Sequence, residues 1–204
     1  MEEKDLTILY SSHMIDTNIL GTTPTIVDLG ACQGKIIDFF IEKFPESRII
    51  AIEPCISNIE SLKKKFSNIE IIHAAIAGNS YYKDEVIFHE FIGLEEWGNI
   101  TKLNMETNHT YLKKIVDYSV PCIHINKIFE LFNISGDIDY LKMDIEGCEE
   151  DVLCSIEENL AKKIKQISFE KHPNVDPDIV YNRLLELGFN IIEKKRYQIY
   201  AWRA

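Results

Sequence analysis

The stretch Val27-Asp28-Leu29-Gly30-Ala31-Cys32-Gln33-Gly34 decides how the rest of the chain is read. Before it, Thr25 to Leu29 is a short β-branched and apolar run, the pattern of a buried strand. After it, Ile36, Phe40 and Phe44 recur at helical spacing with Ile37 and Ile41 beside them, and Pro45 ends the pattern. Gly30 permits a tight turn and close approach of a ligand, and Gly34 sits where the helix begins and its amides point outward. A strand entering a helix through such a turn is the opening unit of an α/β fold. An ordinary strand-to-helix turn can look the same, so the surroundings have to decide.

Downstream, strand-like runs alternate with helical patterns, which predicts an α/β fold with a parallel sheet covered by helices. The strand candidates are Thr25 to Leu29, Arg48 to Ile52, Glu70 to Ala75, Asp139 to Met143, Lys165 to Phe169, Phe189 to Ile192 and Tyr197 to Trp202. A second helix opens with Ser57 and Glu60 at capping-box spacing and buries Ile59, Leu62 and Phe66, leaving Lys63, Lys64 and Lys65 as a solvated face. A later helix takes Asp176 as N-cap and Pro177 as its first residue, and Gly188 stops it.

One place breaks the alternation. About sixty residues separate the third strand from the fourth, where connections usually run to roughly 2 to 6. Residues 78–137 are therefore an insertion, with strands over Val86 to Phe91 and Val120 to Ile125, a short helix over Asn126 to Phe132, and a polar loop from Gly98 to Thr110. It suits a lid or substrate wall, in which Trp97 and Tyr111 are available for stacking. Nothing else splits the chain, so 1–204 reads as a single domain, with residues 1–24 as a covering segment, expected to be helical.

Of 204 residues, 46% are hydrophobic and 10% aromatic, enough for one sizeable core. With 22 Lys plus Arg against 33 Asp plus Glu, the formal charge of −11 argues against a nucleic-acid partner. No apolar run reaches the roughly 18 to 20 residues of a membrane span, and the acidic start Met1-Glu2-Glu3-Lys4-Asp5 is unlike a signal peptide, so the expected location is cytoplasmic. The five cysteines form no CxxC pair and read as reduced, mostly buried thiols.

The second strand candidate runs into Glu53-Pro54, about twenty residues past the glycine loop, where an acid typically accepts hydrogen bonds from ribose hydroxyls. Loop and acid together favour a nucleoside ligand, either a dinucleotide or S-adenosylmethionine. The dinucleotide fingerprint G-x-G-x-x-G would need glycines where Cys32 and Lys35 stand, and Asp28 gains nothing beside a diphosphate. An acidic loop suits a cationic sulfonium better. A nicotinamide-dependent oxidoreductase stays a disfavoured rival, as does a non-catalytic module that binds S-adenosylmethionine or a partner protein on the same scaffold.

Asp28-Leu29-Gly30-Ala31 with Gly34, Glu53-Pro54, Ala74-Ala75-Ile76, and the run Leu141-Lys142-Met143-Asp144-Ile145-Glu146-Gly147-Cys148-Glu149 resemble the FkbM-type class I methyltransferases. The resemblance covers roughly residues 25 to 195, and the K-x-D-x-E-G-x-E run is its more specific half. It implies a Rossmann-like, doubly wound seven-stranded sheet, mostly parallel with an antiparallel final strand. It further implies S-adenosylmethionine-dependent O-methylation of a sugar, glycan precursor or other small-molecule acceptor. By resemblance, Asp28, Gly30, Ala31 and Gly34 surround the methionine end, Glu53 the ribose, and Pro54, Ala75 and Ile76 the adenine. Family members often carry an aspartate in a T-L-D-like context before the fourth core strand, where this chain reads Ile123-His124-Ile125-Asn126.

Ligands of open α/β sheets lie at the carboxyl ends of the strands, which singles out Asp144 independently, both toward the cofactor and toward catalysis. Glu146 follows it, and the fifth strand candidate leads to Glu170 and His172. Methyl transfer to a hydroxyl needs in-line positioning and removal of a proton. His172, with an ordinary pKa of about 6.5, is the expected neutral base. Asp144, Glu146, Glu170 and His172 also make a candidate site for a divalent cation such as magnesium or manganese. Lys142 and Glu149 read as solvated or paired.

Overall fold

The computed structural model describes residues 6–9, 13–102, 110–194 and 197–203. In chain order it contains β1 (Thr7–Leu9), β2 (His13–Ile15), β3 (Thr25–Leu29), α1 (Lys35–Lys43), β4 (Arg48–Glu53), α2 (Ile56–Lys65), β5 (Glu70–His73) and β6 (Ala75–Ala77). There follow β7 (Glu85–Ile92), β8 (Lys114–His124), α3 (Ile128–Leu131), β9 (Tyr140–Met143), α4 (Glu149–Ser155) and α5 (Glu158–Ala161). The chain closes with β10 (Gln166–Glu170), α6 (Pro177–Glu186), β11 (Asn190–Lys194) and β12 (Gln198–Trp202).

Seven strands form the central sheet in the order β11-β12-β10-β9-β3-β4-β5. The pairs from β10 through β9, β3 and β4 to β5 are parallel, and β12 runs antiparallel to both β10 and β11. All seven strand candidates are therefore present, with shifted ends. From β3 the chain winds outward to β4 and β5, then returns to place β9 on the other side of β3. That reversal opens the crevice in which α/β sheets hold ligands.

The period-two alternation of the strands explains why both faces are covered. Val27, Leu29, Ile50, Ile52, Leu141 and Met143 point to one side and pack with Phe129 of α3, Val152 of α4 and Leu184 of α6. Ile26, Ile49, Ala51 and Tyr140 point to the other and pack with Ile36, Ile37 and Phe40 of α1 and Leu62 of α2. Ile41 misses that stripe and is exposed.

Three expectations need correction. The described part of the N-terminal segment is not a helix but the antiparallel hairpin β1-β2 followed by a 3-10 turn over Thr17–Ile19. It covers β10, where Met14 N donates to Ser168 Oγ at 2.9 Å and Asp16 N to Gln166 Oε1 at 2.9 Å. Extended backbone serves here because it offers N–H groups to the polar side chains of that strand face, which a helix would keep for itself. The third strand does not run on to Ala75. It stops at His73, and Ala75–Ala77 joins a separate three-stranded sheet, β6-β8-β7, built from the insertion. Ser57 does not cap α2, whose N-cap is Cys55, because its hydroxyl donates to Glu90 Oε1 of β7 at 2.6 Å. The Asp176 cap of α6 is as expected, its Oδ1 accepting from Asp178 N.

Within the insertion, β7 and β8 extend the expected strands, and α3 is a single turn preceded by a 3-10 turn. Residues 103–109 of the expected polar loop lie outside the described residues. Among the described residues, no helix is long and apolar enough to cross a membrane.

Candidate functional site

A cavity of about 340 Å³ opens at the carboxyl ends of the central strands. Gly30 and Ala31 after β3, Glu53 and Pro54 at the end of β4, Asp144 and Glu146 after β9, and Glu170 at the end of β10 all line it. Ala74, Ala75 and Ile76 close one side, and Glu95 to Ile100 of the insertion, including Trp97, form another wall. Tyr111 is exposed and takes no part in the wall.

The glycine loop is held by its neighbours. Gly30 N donates to Ile52 O at 2.9 Å, and a Cβ on Gly30 would lie 1.8 Å from the carbonyl oxygen of Asp144. Glu53, 4% exposed, ties the loop to the next turn: its Oε2 accepts from Cys32 N and its Oε1 from Cys55 N, both at 2.8 Å. Burial pushes the Glu53 carboxyl above its ordinary range, against the pull of those backbone N–H groups. The Cys32 thiol is pushed up to about 11 by burial and then by the Glu53 charge, which favours its protonated form.

Two residues expected in the wall stand behind it. Asp28 is 1% exposed and faces Lys142 Nζ at 3.0 Å, directly across the β3–β9 ladder. It lies in the floor beneath the cavity. Gly34 is the left-handed N-cap of α1, where a Cβ would lie 2.4 Å from the Phe66 ring, so its role is packing of α1 on α2. Lys142 also donates to the carbonyls of Leu29 and Gly30. Burial opposes its charge, but Asp28 and then Asp144 outweigh burial and raise its pKa.

Beyond β9 the chain makes a strained turn, with Glu146 at φ +51° and Gly147 at φ +104°. A non-glycine residue in that region costs about 1–3 kcal/mol and persists only when its surroundings hold it. Glu149, fully buried, does this by accepting from Ile145 N at 2.9 Å and Gly147 N at 3.0 Å. Asn174 Nδ2 donates to Gly147 O at 2.7 Å. The turn aims Glu146 into the cavity. Burial alone would raise the Asp144 carboxyl, yet Lys142, His13 and His172 together hold it well below the usual carboxylate range.

His172 overturns the expectation of a neutral base. It is not in the cavity wall, and both ring nitrogens are spent: Nδ1 on Glu149 Oε1 at 3.0 Å and Nε2 on Glu146 Oε2 at 3.2 Å. Burial would lower its pKa, but the Glu146 and Glu149 carboxylates override burial and push it up to about 11. His172 is thus an imidazolium that braces the Glu146 turn. Because the folded value lies above the ordinary 6.5, the stabilisation is complete below about pH 6.5 and disappears as pH rises through about 11. The loss of thermal stability caused by His172→Gln should accordingly be largest near neutrality and shrink steadily in alkaline melts. A gap that does not change between pH 7 and 10.5 would contradict the assignment.

The divalent-cation reading gains no support. Donor atoms of Asp144, Glu149 and His172 do lie within 4.8 Å of one another, but Glu170 is not among them, and Glu149 is committed to the backbone of the turn and to His172. The residue that sequence reasoning misses is His13 of β2. It is 2% exposed, lines the cavity, and holds Nε2 3.4 Å from Asp144 Oδ2. Nothing near His13 in the chain marks it, because its partner is 131 residues away.

A family model described as the methyltransferase FkbM domain matches residues 28–191. Methyltransferase sdnD of Sordaria araneosa is 22% identical over 190 residues, covering 79% of this chain and 71% of its own length. The solved structure of the methyltransferase FkbM from Methylobacillus flagellatus KT superposes with a TM-score of 0.59 at 16% identity, a likeness of fold. That alignment covers 95% of this chain and 47% of the other, so this chain spans about half of that one's length.

Proposed function

Because this chain belongs to the FkbM methyltransferase family, we propose that it transfers the methyl group of S-adenosylmethionine to an oxygen acceptor, a hydroxyl on a sugar, glycan precursor or other small metabolite. The observation that carries this reading is the sign of the charge around the cavity. Glu53, Glu95, Glu96, Asp144, Glu146 and Glu170 line it against Lys35 and Lys142, and Lys142 already faces Asp28. A diphosphate would be repelled there, whereas a sulfonium is attracted.

In this reading Gly30 and Ala31 cradle the methionine end, Glu53 accepts from the ribose, and Pro54, Ala75 and Ile76 flank the adenine. Asp144 faces the sulfonium and, with Glu146, orients the acceptor hydroxyl. Positioning of this kind supplies much of the rate in a transfer that needs only an in-line approach. Asp28, Gly34 and His172 act one layer back, on the shape of the loop and turn. Trp97 with Glu95 and Glu96 suits a polyhydroxylated acceptor, an aromatic face beside hydrogen-bond acceptors. Part of residues 78–137 serves as the lid over that acceptor.

Calorimetric titration with S-adenosylhomocysteine tests the reading, with NADH as control and with and without magnesium. Saturable, magnesium-independent binding is expected, and Glu53→Ala should weaken it about ten- to hundredfold, the worth of hydrogen bonds to a charged group at ~1.5–3 kcal/mol. Protection of the insertion from protease in the same samples is the expected sign of the lid. Failure of the folded protein to bind, or tighter binding of NADH, would overturn the proposal.

A further inference from the structure

Asp144 lines the cavity, and its backbone is fixed, since Asp144 N donates to Leu29 O at 3.0 Å. Where its carboxylate points depends on what donates to it. Among the described residues, the hydrogen bond to that carboxylate comes from His13, whose Nε2 lies 3.4 Å from Oδ2, while His172 Nε2 stays 3.9 Å from Oδ1. Against the effect of burial, Lys142, His13 and His172 hold the carboxyl well below its usual range, so it is ionised and can only accept. His13 Nε2 therefore carries a hydrogen and directs it at Oδ2.

The other side of the ring is set from β10. Nδ1 lies 3.4 Å from Ser168 Oγ, which accepts from Met14 N at 2.9 Å and keeps its own hydrogen to give to Nδ1. Donors thus run in one direction, from Met14 N to Ser168, from Ser168 to His13, and from His13 to Asp144. All three of these donors are buried. The hairpin that carries the ring is docked again at Asp16, whose N donates at 2.9 Å to Gln166 Oε1, an oxygen that also accepts from the Tyr200 hydroxyl at 2.6 Å. The matched family region starts at residue 28, so this donor comes from a segment that precedes it.

We propose that His13 is a positioning residue that aims the Asp144 carboxylate at the cofactor sulfur, which makes the N-terminal hairpin part of the cofactor site. This inference rests on the methyltransferase reading given above. Without a donor on Oδ2 the carboxylate is left to Lys142 in the floor and His172 behind the wall, and it turns toward them and away from the sulfonium. A hydrogen bond from a buried ring, itself held from behind by Ser168, opposes that rotation, as supporting residues do for groups that contact a ligand. The consequence is selective, because a charged sulfonium senses the direction of a carboxylate far more than a neutral thioether does.

Calorimetry on the full chain tests this by comparing S-adenosylmethionine with S-adenosylhomocysteine, which lacks the charge on sulfur. In His13→Phe, which keeps a ring but donates nothing, the ratio of the first affinity to the second should fall about tenfold or more, with S-adenosylhomocysteine held within about threefold of native. His13→Gln places an amide N–H near the position of Nε2 and should return the ratio to within about threefold of native. In an Asp144→Asn background, His13→Phe should leave the ratio unchanged, because it acts through that carboxylate. Nitrogen NMR of the native chain should find the hydrogen on Nε2, and this decides should His13→Phe fail to fold. Equal loss of both ligands in His13→Phe, the same fall in the ratio without the Asp144 carboxylate, or a bare Nε2 overturns the role of His13. A native chain that binds neither ligand instead defeats the reading beneath it.

Discussion

Lys142→Met is expected to destabilise the chain by about 3–5 kcal/mol, the usual cost of removing one partner of a buried ion pair. The side chains of Lys142 and Asp28 are 4% and 1% exposed, and their strands place them directly opposite one another. Methionine fills the volume but leaves the Asp28 carboxylate in an apolar floor with no counter-charge. It also removes the donor to the carbonyls of Leu29 and Gly30, which anchors the glycine loop to β9. In urea, where small proteins lose about 1–3 kcal/mol per molar, the midpoint should fall by roughly one molar or more. The double variant Asp28→Asn/Lys142→Met should recover a good part of the loss, since the stranded charge is then gone. A single variant with an unchanged midpoint would mean that the pair does not hold the floor of the site.

Gly30→Ala should abolish measurable S-adenosylhomocysteine binding. The residue sits at φ +76°, and the added Cβ would meet the backbone of Asp144 at 1.8 Å for its oxygen and 2.9 Å for its carbon. Neither is the yielding end of a side chain, so the loop after β3 and the turn after β9 must move apart. Those two segments carry opposite walls of the cavity. Gly21→Ala is the control, because nothing lies within 4 Å of a Cβ there, and its affinity should match the native chain within about twofold. Native affinity in Gly30→Ala would show that the ligand does not depend on the close approach of the two segments.

Much of the site is legible in the amino-acid sequence. Gly30, Ala31, Glu53, Pro54, Ala75, Ile76, Asp144, Glu146 and Glu170 all stand out there, and all of them meet at one cavity. The strand-end rule is a property of α/β sheets, so locating strand ends locates most of the walls. The misreadings concern contacts between distant segments. His172 reads as a free base because linear order does not show that Glu146 and Glu149 close on its two nitrogens. Asp28 reads as a ligand contact because its acidity is visible and its partner across the sheet is not. Ser57 has the spacing of a cap, yet Glu90 of the insertion takes its hydroxyl.

Local spacing and residue type are enough to specify the seven central strands, the helices between them, the glycine turn and the acid that ends β4. Buried parallel strands must be apolar runs, amphipathic helices must repeat near every third or fourth residue, and a tight turn at positive φ favours glycine. Which charges cancel and which face the cavity is settled only when distant segments pack together. The pairing of Asp28 with Lys142, of His13 with Asp144 and of His172 with two glutamates follows from strand order and from where the hairpin docks. Electrostatics acts over a few ångströms of space and is indifferent to distance along the chain.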